Sequence, residues 1–327
     1  MGYKTAFFKF GGGGGGSTVT VNYTLREYSR TDTWTKPSNL IGVEIFMLGA
    51  GGGGGSGAVQ ASGIASRGGG GGGSGNFKWG WIDADELSAT EPIVIGAGGT
   101  GGPIVSTPDT SNNTGGNGGY TSFGLNPTTS QPLFDAYGGL AGVASGGVGF
   151  GPTIGLPTNY PHQTQGASGN NSSTGGLAGS QLNRQSSFLT MEFPRAAAGG
   201  GVRTNNDDSD GGVGSSLLTS ILTNTISPSG GAAGGGNGAN GQDNQGTLLM
   251  AGTMMWEQNL MGVLAIGSTG GGGGGSNNSN AGNAGTSGYF GAGGSGGGGA
   301  RNGFSSGAGA DGTSGFVKIL EVTYSLV

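Results

Sequence analysis

Apolar residues in this chain come in short bursts, and most bursts run straight into glycine. The clearest is VEIFML at 43–48, followed at 49–57 by a stretch of only Gly, Ala and Ser. Val43, Ile45 and Phe46 are β-branched or aromatic, with Met47 and Leu48 beside them, so the burst predicts a buried strand. The same grammar returns at 92–95 (PIVI) before GAGG, and at 262–266 (GVLAI) before Gly267 and the run 270–275. Residues 18–28 (TVTVNYTLREY) alternate as one strand, 29–39 read as a turn, and 315–322 read as a closing strand. Residues 121–124 and 134–137 flank the Asn126-Pro127 turn and predict a hairpin. Trp79 and Trp81 share strand parity and are expected to cap the ends of glycine segments, with a binding face as the other reading. Two stretches, 215–226 and 247–264, have roughly helical apolar spacing, and both also read as buried loops.

Glycine is 85 of 327 residues, about four times the usual share. Phe, Leu, Ile and Val together make 59 of the 327, which is below the ~20% that warns of disorder. Disorder usually comes with high net charge. Here the formal charge is only −5, and 13 Phe, 8 Tyr and 4 Trp remain to be buried. These numbers point to an ordered fold with an unusual core. Glycine has no side chain to bury and loses the most backbone entropy on ordering. What it permits is close approach of backbones. Extended polyproline II segments lack internal hydrogen bonds, so packed side by side they satisfy each other's N–H and C=O groups. Segments of this kind are expected at 51–55, 68–73 and 270–275. Collagen is excluded because no strict Gly-X-Y period is present and Pro is only 11.

The fold class expected is mainly β with irregular glycine-rich legs. A small β-sheet framework clamps a polyglycine II bundle, with room for one or two short helices. Residues 1–33 are expected to form an N-terminal docking or attachment segment, although its first part also reads as a frayed tail. Residues 34–327 form the glycine-rich domain, interrupted by apolar insertions at about 181–198 and 215–264.

Little in the sequence argues for chemistry. GAGGTG at 96–101 matches a dinucleotide fingerprint, but Pro103 and Pro108 follow where its helix must begin. GGSGG at 293–297 matches a nucleophile-elbow string, which this much glycine produces by chance. His162 is the only histidine and Cys is absent, so neither a triad nor a zinc site is expected. NDDSDG at 206–211 resembles the front of a calcium loop, but Leu217 stands where the bidentate Glu belongs. It reads better as a solvated acidic turn. No catalytic, cofactor-binding or metal-binding residues are assigned, and the protein is not expected to be an enzyme. With a pI near 4.7, nucleic acid is not an expected partner. No apolar stretch is long enough for membrane insertion.

The remaining chemistry is surface recognition. Loops joining glycine legs can vary without disturbing the packing, which makes them the expected binding places. The richest are 107–114 and 158–165, the second carrying Tyr160 and His162 as candidate receptor-binding residues; both also read as plain solvated turns. Leu249, Met254, Trp256 and Leu260 form an apolar set too large for a glycine-leg fold to bury alone, and are candidate oligomer contacts.

Several motifs together resemble the glycine-rich domain of bacteriophage tail fibres and related virion adhesins. They are Trp34-Thr35-Lys36-Pro37, the strand at 43–48 with its glycine tract, SATEPIVIGAGG at 88–99, GGYTSFG at 118–124 with AYGG at 136–139, and DGTSGFVKI at 311–319. The resemblance spans about 34–321. It implies a tail-fibre or receptor-binding subunit of a virion, made in the host cytoplasm and working on the virion surface. The implied partners are other virion proteins, through the N-terminal segment, and a bacterial surface glycan or outer-membrane protein. By analogy to fibres it also implies a homotrimer. A head fibre or capsid decoration protein is the alternative, and the family carries no catalytic residues to transfer.

Overall fold

The apolar bursts pair into two antiparallel sheets, and the glycine tracts that follow them pack side by side as a lattice. The computed structural model describes residues 4–8, 19–108, 114–126, 128–143, 196–203, 205–212, 240, 250–251, 263–264, 272–276, 278–288 and 290–326. In chain order its strands are β1 (Lys4–Phe8), β2 (Val19–Tyr28), β3 (Asp32–Thr35), β4 (Leu40–Leu48), β5 (Val59–Gln60), β6 (Phe77–Asp83), β7 (Thr90–Val94), β8 (Thr121–Phe123), β9 (Phe134–Ala136), β10 (Met250–Ala251), β11 (Val263–Leu264), β12 (Ala300–Arg301) and β13 (Phe316–Leu326). A five-stranded sheet runs β1-β2-β13-β4-β6 and a four-stranded sheet runs β3-β7-β8-β9.

The expected central strand is β4, held between β13 and β6. Val43, Ile45 and Met47 point into a shared core, while Phe46 and Leu48 on the opposite face are also buried. Burial on both faces explains the unbroken apolar run. The core joins the two sheets: Trp34, Ile93, Phe123 and Phe134 meet Val43, Ile45, Ile319 and Val317. Trp34 and Phe123 meet edge to face at 5.7 Å between centroids, a favoured aromatic geometry.

Buried charge in this framework is matched by donors. Glu321, 2% exposed, accepts from Trp34 Nε1 at 2.8 Å and Arg26 Nε at 2.9 Å. Glu91 takes the backbone N–H of Ser88 at 2.7 Å and of Leu125 at 3.0 Å, fixing the approach to β7 and the exit from β8. Lys36 Nζ donates to the carbonyls of Ala84 and Leu87, at the end of the 3₁₀ turn Ala84–Glu86. The Trp34 to Pro37 motif therefore locks β3 to both the closing strand and the β6–β7 connection.

The leg at 49–58 is the centre of the lattice. Its N–H groups point in three directions with a period of three residues. Gly49, Gly52, Gly55 and Ala58 donate to Asn76, Gly73, Gly70 and Arg67. Ala50 and Gly53 donate to Gly119 and Gly116; Gly51, Gly54 and Gly57 donate to Thr313, Ala310 and Gly307. Its carbonyls receive from three further legs: Ala50 and Gly53 from Gly139 and Gly142, Gly51 and Gly54 from Gly99 and Gly102, Gly52, Gly55 and Ala58 from Gly294, Gly297 and Ala300. Three residues per turn and bonds only between chains are the signature of a polyglycine II packing. The acceptor legs run antiparallel to 49–58 and the donor legs run parallel to it. The leg at 291–300 is enclosed in the same way by 49–58, 67–76, 197–200, 273–276, Gly282 and 307–314.

The sheets impose this arrangement. β4, β7 and β9 run out into legs 49–58, 96–102 and 137–143, while legs 67–76, 114–120 and 305–315 return into β6, β8 and β13. Glycine is required by the spacing. A Cβ on Gly53 would lie 1.9 Å from the carbonyl oxygen of Thr100.

Several sequence expectations need correction. The 29–39 turn contains strand β3, which pairs with β7. The helical spacing at 247–264 is not helix at its ends, because Met250 and Ala251 pair antiparallel with Leu264 and Val263; short apolar runs fit either structure until a partner strand decides. Residues 215–226 lie outside the described residues. Trp81 does not cap a leg. It lies across Gly42 of β4, where an added Cβ would be 2.2 Å from its ring, and its Nε1 donates to Asp83. The strand expected at 18–28 is borne out as β2, paired along Val19–Tyr28 with β13 in the sheet. Residues 196–198, assigned to an apolar insertion, are buried alanines that begin the leg 196–203. Among the described residues the only helical element is the 3₁₀ turn at Ala84–Glu86.

Candidate recognition surface

The legs turn at the pole opposite the sheets. Described segments there are 59–66, 103–108, 203, 205–207, 278–280 and 301–305. Legs 49–58 and 291–300 end together as a short parallel pair, β5 with β12. Beneath the turns, Val59, Ala281 and Ala300 form a small apolar cluster joined by Val105 and Phe304. This cluster seats the tip on the lattice.

Arg301 ties the turns to one another. It is 4% exposed, and its guanidinium donates to the carbonyls of Ala61 (3.0 Å), Ile64 and Arg203. One cation thus joins the 59–66 turn, the end of leg 196–203 at Arg203 and its own turn. Burial lowers its pKa, and the nearby Asp208 carboxylate opposes that shift. A planar, permanently charged fork suits a site that collects several carbonyls. The sequence offered no motif for this role, only a lone basic residue directly after a glycine leg.

The described outer surface of the tip is mostly polar. Ser62, Asn205, Asn206, Asp207, Asn302, Thr107 and Pro108 are exposed. Ile64 and Ile104, both 54% exposed, are its apolar points. Asn206 has φ +67°, the left-handed region that Asn tolerates better than most residues. Asn205 Nδ2 donates to Asp207 Oδ2 at 2.7 Å. The acidic run at 206–211 becomes a turn and then a leg. Ser209 N–H donates to Gly201 at 2.9 Å, and Gly212 N–H donates to Ala198. Among the described residues no group of three or more His, Cys, Asp or Glu side chains comes together.

The lattice perimeter has its own pattern. Where an outward N–H would be left without a backbone partner, a side chain from the next leg accepts it. Asn117 Oδ1 takes Ala141 N–H, Asn280 takes Ser305, Asn283 takes Ala308, and Asp311 takes Gly101, at 2.6–2.9 Å. Asn240 does the same for Asn283. The spacing of three between Asn280 and Asn283 is the leg period written into the sequence.

The sequence-predicted site residues Tyr160, His162, Leu249, Met254, Trp256 and Leu260 lie outside the described residues. The 158–165 loop falls there too. Of the 107–114 loop, Thr107 and Pro108 are at the tip beyond leg 96–102, and Thr114 opens the leg that returns. No helix among the described residues is long and apolar enough to cross a membrane.

A family model described as a glycine-rich domain matches residues 24–320. The chain belongs to that glycine-rich domain family. No curated protein matches the chain.

Proposed function

We propose that this member of the glycine-rich domain family is a structural and host-recognition protein of a phage virion. In this reading it is a tail-fibre or receptor-binding subunit attaching to the bacterial surface. The observation that carries the reading is polarity. The five- and four-stranded sheets are gathered at one pole, the leg turns described above at the other, and a hydrogen-bonded lattice joins them. A lattice in which every leg is bonded to its neighbours holds the distal turns in fixed relation while leaving their sequence free, as a recognition surface requires.

The strand pole suits attachment to other virion proteins. β2 and β13 run past the end of β4, pairing Val21 with Tyr324 and Val19 with Leu326, and β1 pairs alongside. Tyr324 and Leu326 are exposed there, which leaves apolar surface for a partner. The turn pole faces a bacterial surface glycan or outer-membrane protein. The protein works by binding rather than catalysis. It assembles as a homotrimer, with Leu249, Met254, Trp256 and Leu260 contributing contacts, and acts on the virion surface after synthesis in the host cytoplasm.

The test is to localise the protein on purified particles by gold-labelled antibody and to compete adsorption with purified protein. Label at the tail together with competition is expected. Label on capsids lacking tails assigns the protein to a head fibre or capsid decoration instead. Absence of label from the particles rejects a virion role.

A further inference from the structure

Of the four Asn-Gly pairs in the sequence, 117–118 and 302–303 lie wholly within the described residues, and their surroundings are opposite. Asn302-Gly303 lies at the tip, in the turn closed by Phe304 N–H to Arg301 O at 3.1 Å. Both residues are exposed, Gly303 has φ +97°, and a Cβ placed on it would meet nothing within 4 Å. Asn302 uses its backbone N–H on Gln60 O, while its side-chain amide and the Gly303 N–H have no partner among the described residues. Asn117-Gly118 lies in a leg. Gly118 N–H is bonded to Gly139 O at 2.8 Å, and Asn117 Oδ1 accepts Ala141 N–H at 2.9 Å. There the backbone nitrogen and the side-chain amide are both engaged.

We propose that Asn302 is a site of spontaneous deamidation at the tip, and that the lattice protects the identical dipeptide at Asn117. In this reaction the Gly303 backbone nitrogen attacks Asn302 Cγ. The new N–Cγ bond closes a succinimide, the Cγ–Nδ2 bond breaks, and ammonia leaves carrying the amide proton. Water then opens either carbonyl of the ring, giving aspartate or isoaspartate. No oxidant or other reactant is consumed. The missing Cβ on Gly303 leaves the attacking nitrogen unshielded. The same attack at Gly118 first requires the nitrogen to leave its bond to Gly139 and the leg to open locally. Deamidation places a carboxylate at the tip next in sequence to Arg301, and the isoaspartate product also lengthens the backbone within the turn.

The experiment is to incubate the purified full chain at mildly alkaline pH and follow both peptides by mass spectrometry, in native buffer and in denaturant. In denaturant the two sites should react at similar rates. In native buffer Asn302 should react at least about tenfold faster than Asn117, because only the second must wait for local opening. Asn302→Gln should remove the deamidated form of the peptide that carries residues 302–303 while leaving thermal unfolding unchanged. Equal native rates, faster reaction at Asn117, or an Asn302 that stays intact while the denatured control reacts would each overturn the proposal.

Discussion

Replacing Gly53 by alanine tests whether the lattice is held by backbone proximity. The new Cβ would stand 1.9 Å from Thr100 O and 2.4 Å from its carbonyl carbon. Ordinary contact begins near 3.4 Å, so leg 96–102 must retreat locally by about 1.5 Å to escape overpacking. The bonds from Gly99 to Gly51 (2.9 Å) and from Gly102 to Gly54 (2.8 Å) span the same gap. A retreat of that size takes both beyond hydrogen-bond range. Two such bonds contribute about 2 kcal/mol net. Overpacking strain adds about 1–3 kcal/mol, and the stiffer unfolded chain returns about 0.4–1 kcal/mol. The expected cost is therefore about 2–5 kcal/mol. Gly63→Ala is the control. Its φ is +82° and nothing lies within 4 Å, so only the left-handed conformation penalises alanine, by about 1 kcal/mol after the same entropic return. Denaturant unfolding of both variants, with amide exchange at Gly99 and Gly102, measures the difference. A Gly53→Ala variant as mild as Gly63→Ala, with both amides still protected, would refute close packing as the reason for glycine.

Further outcomes follow from other contacts. Asn283→Ala leaves the Ala308 N–H to solvent at the perimeter, as loss of a helix cap does. It should cost about 0.5–1.5 kcal/mol and accelerate exchange at Ala308. Trp34→Phe removes the Nε1 donor from the buried Glu321 and leaves a void beside Phe123. A loss of about 2–4 kcal/mol is expected in denaturant titration, and Asp32→Asn, an exposed change on the same strand, should be near neutral. Tyr28 and Tyr137 both have raised pKa values, the first mainly through burial and the second through its hydrogen bond to Asp135 and that residue's charge. The folded state thus holds these protons more tightly than the unfolded state. Their contribution is fully present below the unfolded value near 10 and is lost as pH rises through the folded values. Melting at stepped alkaline pH should show this decline, and Tyr137→Phe should reduce it.

The sequence by itself determined the strand-then-glycine grammar. The runs at 43–48 and 92–95 are strands or strand ends because β-branched and apolar residues there are bounded by glycine, a local signal. The hairpin of β8 with β9, the closing strand β13 and the lattice tracts at 51–55 and 68–73 were legible for the same reason. Tertiary structure decided which leg neighbours which. A glycine leg has no side chain to specify its partners, so the order of legs is inherited from the strands that carry them. Sheet order β2-β13-β4-β6 depends on pairing between residues nearly 300 positions apart, such as Leu25 with Leu320, and no local pattern contains it. The same holds for Arg301, whose role exists only because two other turns, distant in sequence, bring the carbonyls of Ala61, Ile64 and Arg203 to its guanidinium. It holds also for Trp81, whose ring had no local reason to choose Gly42. Asn280 and Asn283 stand between these cases. Their spacing of three was visible in the sequence, but their use as caps required a neighbouring leg with outward N–H groups in register.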